Sequence, residues 1–548
     1  RQMCIRDRSS NYITAQAKKT FKNVYCYFGC IYAVISITNF TFKEFRYSPL
    51  AASASVAGGD FISSDKTEAI IPIAFLDSGN VAWTIDNNLS GKANIQLDIQ
   101  PPYIYSVYND LNSDRMYGLK MYIDHLFRNR SSISDMVTSD GNNFVNIVSH
   151  GNPTGTVNSG TLNQTKDVDK FTVNTVLSGD KWNDYNLSIN VRSIRNKAVA
   201  NKAVRLLCIG DSVTEGYMAN YNRPYTNSPT TYWTWLTALF ALDKAENNNT
   251  GFFFQSLGNV RGSATGCVNI EKLTFDVKFG GREISGLTAH CCGVGGSTTI
   301  GWVSPEIKTG ITNPFYDPSA KKFSLDYWVN NYRTLTVNSD GSTTVCDDSS
   351  KGSLAPADLN SVYVCEPTHV LIQLGYNQRY SANGTAKTNY IQNLTEMINT
   401  IRQEYPNVYI LLSLPDTAGT YFPRQFPNYE FDSPLYGLRF TSGTAKVPHD
   451  QISYMNQDLL DLCNESNKIF YCPSYFASPL CRGTSYRECN EVADYVESNV
   501  FSQIRIHTGG LPYLHPNCAA HANWAQQMYG LIKYTLTSVS YTHLRAHE

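Results

Sequence analysis

An apolar run stops abruptly at Gly-Asp-Ser in "LLCIGDSVTEGY", residues 206–217. A serine placed just after a buried strand is positioned to act as a nucleophile, because open parallel sheets bind ligands beyond the carboxyl ends of their strands. Two other stretches supply what acyl transfer requires around such a hydroxyl. "LIQLGYNQ" ends a second apolar run with Gly375 and Asn377, so the Asn377 amide and Ser212 Oγ emerge at one edge if the two strands are neighbours. "CCGVGGSTTIGW" contributes glycines 293, 295 and 296, where a backbone N–H can come close because no side chain intervenes. Hydroxyl, side-chain amide and backbone N–H are the parts of a nucleophile and an oxyanion hole.

The general base is sought among ten histidines. His515, in "LPYLHPNCAAHANWAQQMYG", lies just before the last amphipathic stretch and is the candidate. His521 is its nearest rival but falls at or inside the helix start. His369 begins the central strand, roughly 20 Å from the end where Ser212 should sit, and is rejected. His290, His449 and His507 have no positional argument in their favour. Taken singly, each motif also has a plain structural reading: Gly-Asp-Ser and Gly-x-Asn occur in turns, His-Pro in loops, and a Gly-rich segment can be a surface loop.

The elements that must position these residues alternate from about residue 205 onward. "VRLLCIG", "TGFFFQSLG", "THVLIQLG", "NVYILLSLP" and "KIFYCPSY" read as strands. Between and after them, "TTYWTWLTALFAL", "NYIQNLTEMINTIRQEY", "DQISYMNQDLLDLC" and "NWAQQMYGLIKYTL" read as helices, the second with Ile391, Leu394, Met397, Ile398 and Ile401 at helical spacing. Continuous apolar strands alternating with helices imply a parallel sheet covered on both faces. Residues 261–365 interrupt the order and read as loops and small strands decorating the site. Between about 50 and 200, short alternating runs ("IIPIAFL", "VAWTI", "ANIQLDI", "NFVNIV", "KFTVNTV", "NLSINVRSI") imply a sandwich-like β domain with one helical insertion near "MYGLKMYIDHLF". "RNKAVANKAV" is a short basic connector.

These residues resemble the SGNH hydrolases, the GDSL-type esterases and lipases, over about 205–536 and in the family's block order. "GDSVTEG" is similar to the first block, "GVGGSTT" to the second, "GYN" to the third and "LHPN" to the fifth; "NPFYDPSAKKFSLDYW" (313–328) is similar to a segment of bacterial and phage relatives. The resemblance implies a flavodoxin-like three-layer α/β/α fold and hydrolysis of carboxylic esters, often acetyl groups on sugars. It assigns Ser212 as nucleophile, His515 as base, and an oxyanion hole from the N–H groups of Ser212 and Gly296 with the Asn377 side chain. Two positions depart from the pattern. Gln378 stands where the third block usually has Asp, and Pro512 stands where the triad acid usually lies, three residues before His515. The site is therefore expected to work as a Ser-His pair or to draw its third group from elsewhere.

The chain as a whole is expected to divide into an N-terminal segment (1–49), a β-rich accessory domain (50–200) and an SGNH hydrolase domain (201–538). The ends "RQMCIRDR" and residues 539–548 resemble translated sequencing adapters and are set apart from the fold. A length of 548 residues exceeds one ordinary domain, and 42% hydrophobic with 12% aromatic residues indicates a folded chain. A net charge of −1 argues against nucleic acid as the main partner. No Cys/His ligand spacing, phosphate loop or paired acids imply a metal or organic cofactor. "VYCYFGCIYAVISI" (24–37) has the length of a signal-peptide apolar region and equally reads as a strand pair; no segment approaches the roughly 20 apolar residues of a membrane span. Cys463, Cys472, Cys481 and Cys489 could pair or stay free. The expected substrate is an acetylated carbohydrate or other small ester, in an extracytoplasmic, cell-surface or phage-virion setting. Two alternatives stand beside it: a catalytically weakened, glycan-binding SGNH module on a phage tail or cell surface, and a lipase or thioesterase.

Overall fold

The structure is a computed structural model. It describes residues 19–27, 30–37, 41–49, 68–72, 79–86, 93–108, 119–127, 136–139, 141, 144–147, 167–179, 182–195, 199, 202–216, 234–246, 253–258, 274–279, 282–288, 290–341, 343–346, 363–378, 380, 384–415, 449–478 and 518–544. His507, Pro512, His515, Cys481 and Cys489 lie outside these.

A parallel sheet organises the C-terminal part. Its strands are β1 (Ala203–Gly210), β2 (Phe253–Leu257), the short β3 (Cys292–Gly293), β5 (His369–Gln373), β6 (Tyr409–Leu412) and β7 (Ile469–Tyr471). A further short strand, β4 (Glu306–Lys308), forms a separate hairpin with Ile311–Thr312. The sheet order is β2-β1-β5-β6-β7, with β3 paired to the carboxyl end of β1. Counted along the chain, the five main strands run 2-1-3-4-5, the order of flavodoxin-like sheets, with its switch point between β1 and β5. Leu206, Leu207, Cys208 and Ile209 are all fully buried, as a parallel strand covered on both faces requires.

Helices α1 (Ser212–Glu215), α2 (Trp235–Glu246), α3 (Thr299–Trp302), α4 (Thr385–Glu404), α5 (His449–Leu462) and α6 (Cys518–Leu544) follow the strands. On α4 the stripe expected from Ile391 is led instead by Tyr390, which is buried with Leu394, Met397, Ile398 and Ile401. Its hydroxyl donates to the Leu374 carbonyl at 3.0 Å, so the large ring stays inside with its polar end satisfied. Helices α2 and α6 pack on each other, and α4 packs on α3 and on the helix Leu325–Tyr332.

The N-terminal strands include an antiparallel pair, Lys19–Tyr27 with Cys30–Ile37, so the 24–37 run forms strands. The second of these also pairs with Glu68–Pro72, across residue 50. A four-stranded sheet runs Ile104–Tyr108, Trp182–Arg195, Val168–Gly179, Val137–Thr138. Along Val168–Gly179, Phe171, Val173, Thr175 and Leu177 are buried in alternation. Helix α6 packs on this sheet at Ile104–Tyr108, and Gly530 permits the approach: a Cβ there would meet the Tyr105 carbonyl carbon at 2.8 Å.

Two local expectations are corrected. "ANIQLDI" forms a single bridge at Ala93 and no strand, because the N–H groups of Asp98 and Ile99 both donate to the Leu126 carbonyl. Among the described residues of "MYGLKMYIDHLF" a strand, Leu119–Tyr122, pairs with Phe144–Ile147, and the helical part is one 3-10 turn of equal length, Ile123–Leu126. Four consecutive buried residues there fit strand and helix equally well by apolar pattern, and pairing decides.

Candidate active site

Each residue of "GDSVTEG" has a physical task. Gly210 ends β1, and a Cβ there would lie 1.8 Å from Thr214 Oγ1 and 2.6 Å from the Gln373 carbonyl oxygen. Asp211 caps α1: its Oδ1 accepts the Val213 N–H at 2.9 Å. Ser212 is therefore the first residue of a one-turn helix directly beyond the strand, and it is 8% exposed. Thr214 donates through Oγ1 to the buried Gln373 Oε1 at 2.8 Å, tying the turn to β5. Gly216 closes the helix in the left-handed region at φ +77°.

Three loops converge beyond this edge. Gly210 pairs with Gly293 on one side and Gln373 on the other. The Val294 N–H then donates to the Gly210 carbonyl at 3.0 Å, which carries the second loop alongside the first. In that loop Gly295 faces Ser212: a Cβ on Gly295 would stand 3.6 Å from Ser212 Cβ and 3.3 Å from Glu215 Oε2. Gly296 is the next residue, exposed, in the left-handed region at φ +81°. From β5, Asn377 follows Gln373 by four residues and sits in the turn closed by the Gln378 N–H on the Gly375 carbonyl at 3.1 Å. Ser212, Gly295–Gly296 and Asn377 thus issue from three adjacent parallel strands at their carboxyl ends.

Two residues outside the proposed catalytic set fasten these loops together. Gln378 Oε1 accepts from the Thr299 N–H at 3.2 Å and its hydroxyl at 2.8 Å, joining the third loop to α3. Lys308 Nζ donates to the Gly295 carbonyl at 2.6 Å. No sequence signal marks Lys308, which lies 13 residues from its partner. The segment 313–328 has a supporting role: the Asn313 amide donates to the carbonyls of Trp302 and Ser304 at 2.8 and 2.9 Å and fixes the stretch between α3 and β4.

Two of the histidines, His369 and His521, have defined structural partners. His369 opens β5 opposite Leu206, at the far end of the strands from Ser212. Its ring nitrogens meet Thr368 Oγ1 and Thr535 Oγ1, each at 2.8 Å, and burial, with Arg205's charge nearby, pushes its pKa down to about 3. His521 lies within the first turn of α6 and accepts the Trp235 N–H on Nδ1 at 3.0 Å. That bond leaves its ring proton on Nε2 and gives it a structural task. The Trp235 indole N–H donates in turn to the Thr214 carbonyl at 3.2 Å. The start of α6 is thereby linked to the Ser212 helix, and Cys518, its first residue, is three residues beyond His515 in the chain.

Cys463 and Cys472 are free thiols. Among the described residues no group of three or more His, Cys, Asp or Glu could hold a metal ion. Among the described residues no helix is long and apolar enough to cross a membrane.

No family model and no curated protein matches the chain. One solved structure, from Corynascus thermopiles (Myceliophthora fergusii), is a carbohydrate esterase family 2 (CE2) enzyme plus carbohydrate binding domain. It aligns over 93% of this chain and 94% of its own, at 11% identity and a TM-score of 0.27.

Proposed function

We propose that the chain is an SGNH-type serine esterase with a flavodoxin-like α/β/α catalytic part, acting on carboxylic esters and most readily on O-acetyl groups of carbohydrates. The observation that carries this reading is the convergence of Ser212, the Gly295–Gly296 turn and Asn377 at the carboxyl ends of β1, β3 and β5, beside the switch point of the sheet. In this reading Ser212 Oγ attacks the ester carbonyl while His515 accepts its proton. The N–H groups of Ser212 and Gly296 and the Asn377 amide hold the oxyanion as it forms. The tetrahedral intermediate collapses to an acyl-enzyme, and His515 returns the proton to the departing alcohol. Water, deprotonated by the same imidazole, then releases the acid. The link from Thr214 through Trp235 to His521 supports His515 as base, since it brings the chain just after His515 to the serine helix.

The test is hydrolysis of p-nitrophenyl acetate by the full chain beside Ser212→Ala and His515→Ala. Both variants should lose at least about a thousandfold in kcat while keeping the wild-type unfolding transition. Undiminished turnover by Ser212→Ala would sink the mechanism. Preference for two-carbon over long acyl chains separates a deacetylase from a lipase, and saturable glycan binding without turnover would favour the binding module.

A further inference from the structure

The second loop contains two adjacent glycines, and that poses a mechanical problem for an oxyanion donor. Val294–Ser297 is a β-turn closed by the Ser297 N–H on the Val294 carbonyl at 3.0 Å. Gly296 has φ +81° and Gly295 is not in the left-handed region, which makes the turn type II. Its central peptide joins the Gly295 carbonyl to the Gly296 N–H. With no side chain on either residue, rotation of that peptide plane meets little steric resistance. A donor whose direction wanders is a poor oxyanion ligand, because preorganisation is what makes such donors effective.

Lys308 lies on the other end of that same peptide unit, its ammonium 2.6 Å from the Gly295 oxygen. A trans peptide points its C=O and N–H in opposite directions, so fixing the oxygen fixes the direction of the Gly296 N–H. A cation on the oxygen also draws electron density through the amide resonance and makes the N–H a stronger donor. The anchor is firm: β4 is held through Ile307, buried, whose carbonyl is packed so tightly on Gly301 that a Cβ there would lie 2.0 Å from it. A neutral donor would hold the turn but would not polarise it.

We propose that Lys308 is a positioning residue that locks and polarises the Gly295–Gly296 peptide so that the Gly296 N–H serves as an oxyanion donor. This rests on the esterase reading above. The test uses the full chain, Lys308→Met and Lys308→Arg, with two readouts. The first is p-nitrophenyl acetate kinetics. Lys308→Met should lower kcat about tenfold or more with KM nearly unchanged, less than the roughly 10²–10³ of losing a donor outright; Lys308→Arg should recover most of it. The second readout does not depend on turnover. Glycine labelled with 13C at the carbonyl and 15N at the amide gives carbonyl-filtered amide signals only from Gly59, Gly281, Gly296 and Gly510, the second members of the Gly-Gly pairs. Gly59→Ala, Gly281→Ala and Gly510→Ala identify the Gly296 signal by elimination.

Loss of the lysine should move the Gly296 nitrogen upfield and leave the other three in place. An unmoved Gly296 signal, or a kcat for Lys308→Met within about twofold of wild type, overturns the proposal. A clip without polarisation would show as a moved signal with unchanged kcat, which also overturns it. A folded wild type without turnover defeats the esterase reading and the catalytic role of Lys308 together, while the amide signal still reports whether the lock exists.

Discussion

Gln378 illustrates how one side chain takes its physical task from a partner distant in the chain. Thr299 opens α3 with an N–H that has no partner within the helix, and the N-cap residue Thr298 makes no side-chain cap bond. Gln378 Oε1 fills that role from across the site, and Asn393 Nδ2 donates to the Thr299 hydroxyl at 3.1 Å. What the position requires is an acceptor oxygen, which a glutamine amide supplies as well as a carboxylate. Gln378→Met keeps the volume and removes the acceptor, so it should cost about 1–2 kcal/mol in urea-unfolding stability. An unchanged midpoint would show that the bond contributes nothing. Among the candidate site residues, Ser212 and Asn377 could be nominated from sequence because a polar residue after a buried apolar run is conspicuous. The contacts of Gln378 and Lys308 could not, because their partners are Thr299 and Gly295, and nothing local in sequence announces a contact made only after the loops fold.

At the scale of the element, the β1-to-α1 turn depends on an absent side chain. The atoms a Cβ on Gly210 would strike cannot easily retreat: Thr214 Oγ1 is held by Gln373 Oε1, and the other is the Gln373 backbone oxygen. Gly210→Ala should therefore destabilise the chain by about 1–3 kcal/mol, as overpacking does, and should displace Ser212. Thermal unfolding reads the first effect and p-nitrophenyl acetate turnover the second; a variant unchanged in both would refute the close approach. The strand and helix pattern from β1 to α6 was legible because continuous apolar strands and 3.6-residue stripes are properties of short segments. "ANIQLDI" and Leu119–Tyr122 were not, because a tertiary partner, the Leu126 carbonyl in one case and Phe144–Ile147 in the other, chose among conformations that the local pattern left equal.

Across the whole molecule, α6 is the shared support of both sheets. It packs on Ile104–Tyr108 of the N-terminal sheet and reaches β5 through Thr535 and His369. Arg192 adds to the junction, its guanidinium 3.3 Å from the Tyr103 ring centroid and 4.3 Å from that of Tyr534 on α6, with Glu465 at 2.9 Å. His369 gives this junction a pH signature. Its pKa of about 3 in the fold lies below the ordinary value of 6.5, so the unfolded chain binds the extra proton between those values. The contribution is complete above about pH 6.5 and is lost progressively as pH falls towards 3. Urea unfolding at about pH 7 and about pH 5 should show the wild type losing about 2 kcal/mol more than His369→Gln. Equal losses would mean that His369 does not stay neutral in the fold.

The sequence by itself determined the alternation of strands and helices after residue 205, the burial of β1 and the candidacy of Ser212, Asn377 and the glycine loop. These follow from hydrophobic period, strand-end position and the conformational range of glycine, all of which act over a few residues. Only the tertiary structure decided the strand order 2-1-3-4-5, which brings β3 and β5 to either side of Gly210. It also decided that His521 supports α2, that Gln378 caps α3 and that Lys308 grips the Gly295 carbonyl. Each is a contact between segments distant in the chain, fixed by how the sheet edges and loops pack and not by any preference of the segments alone.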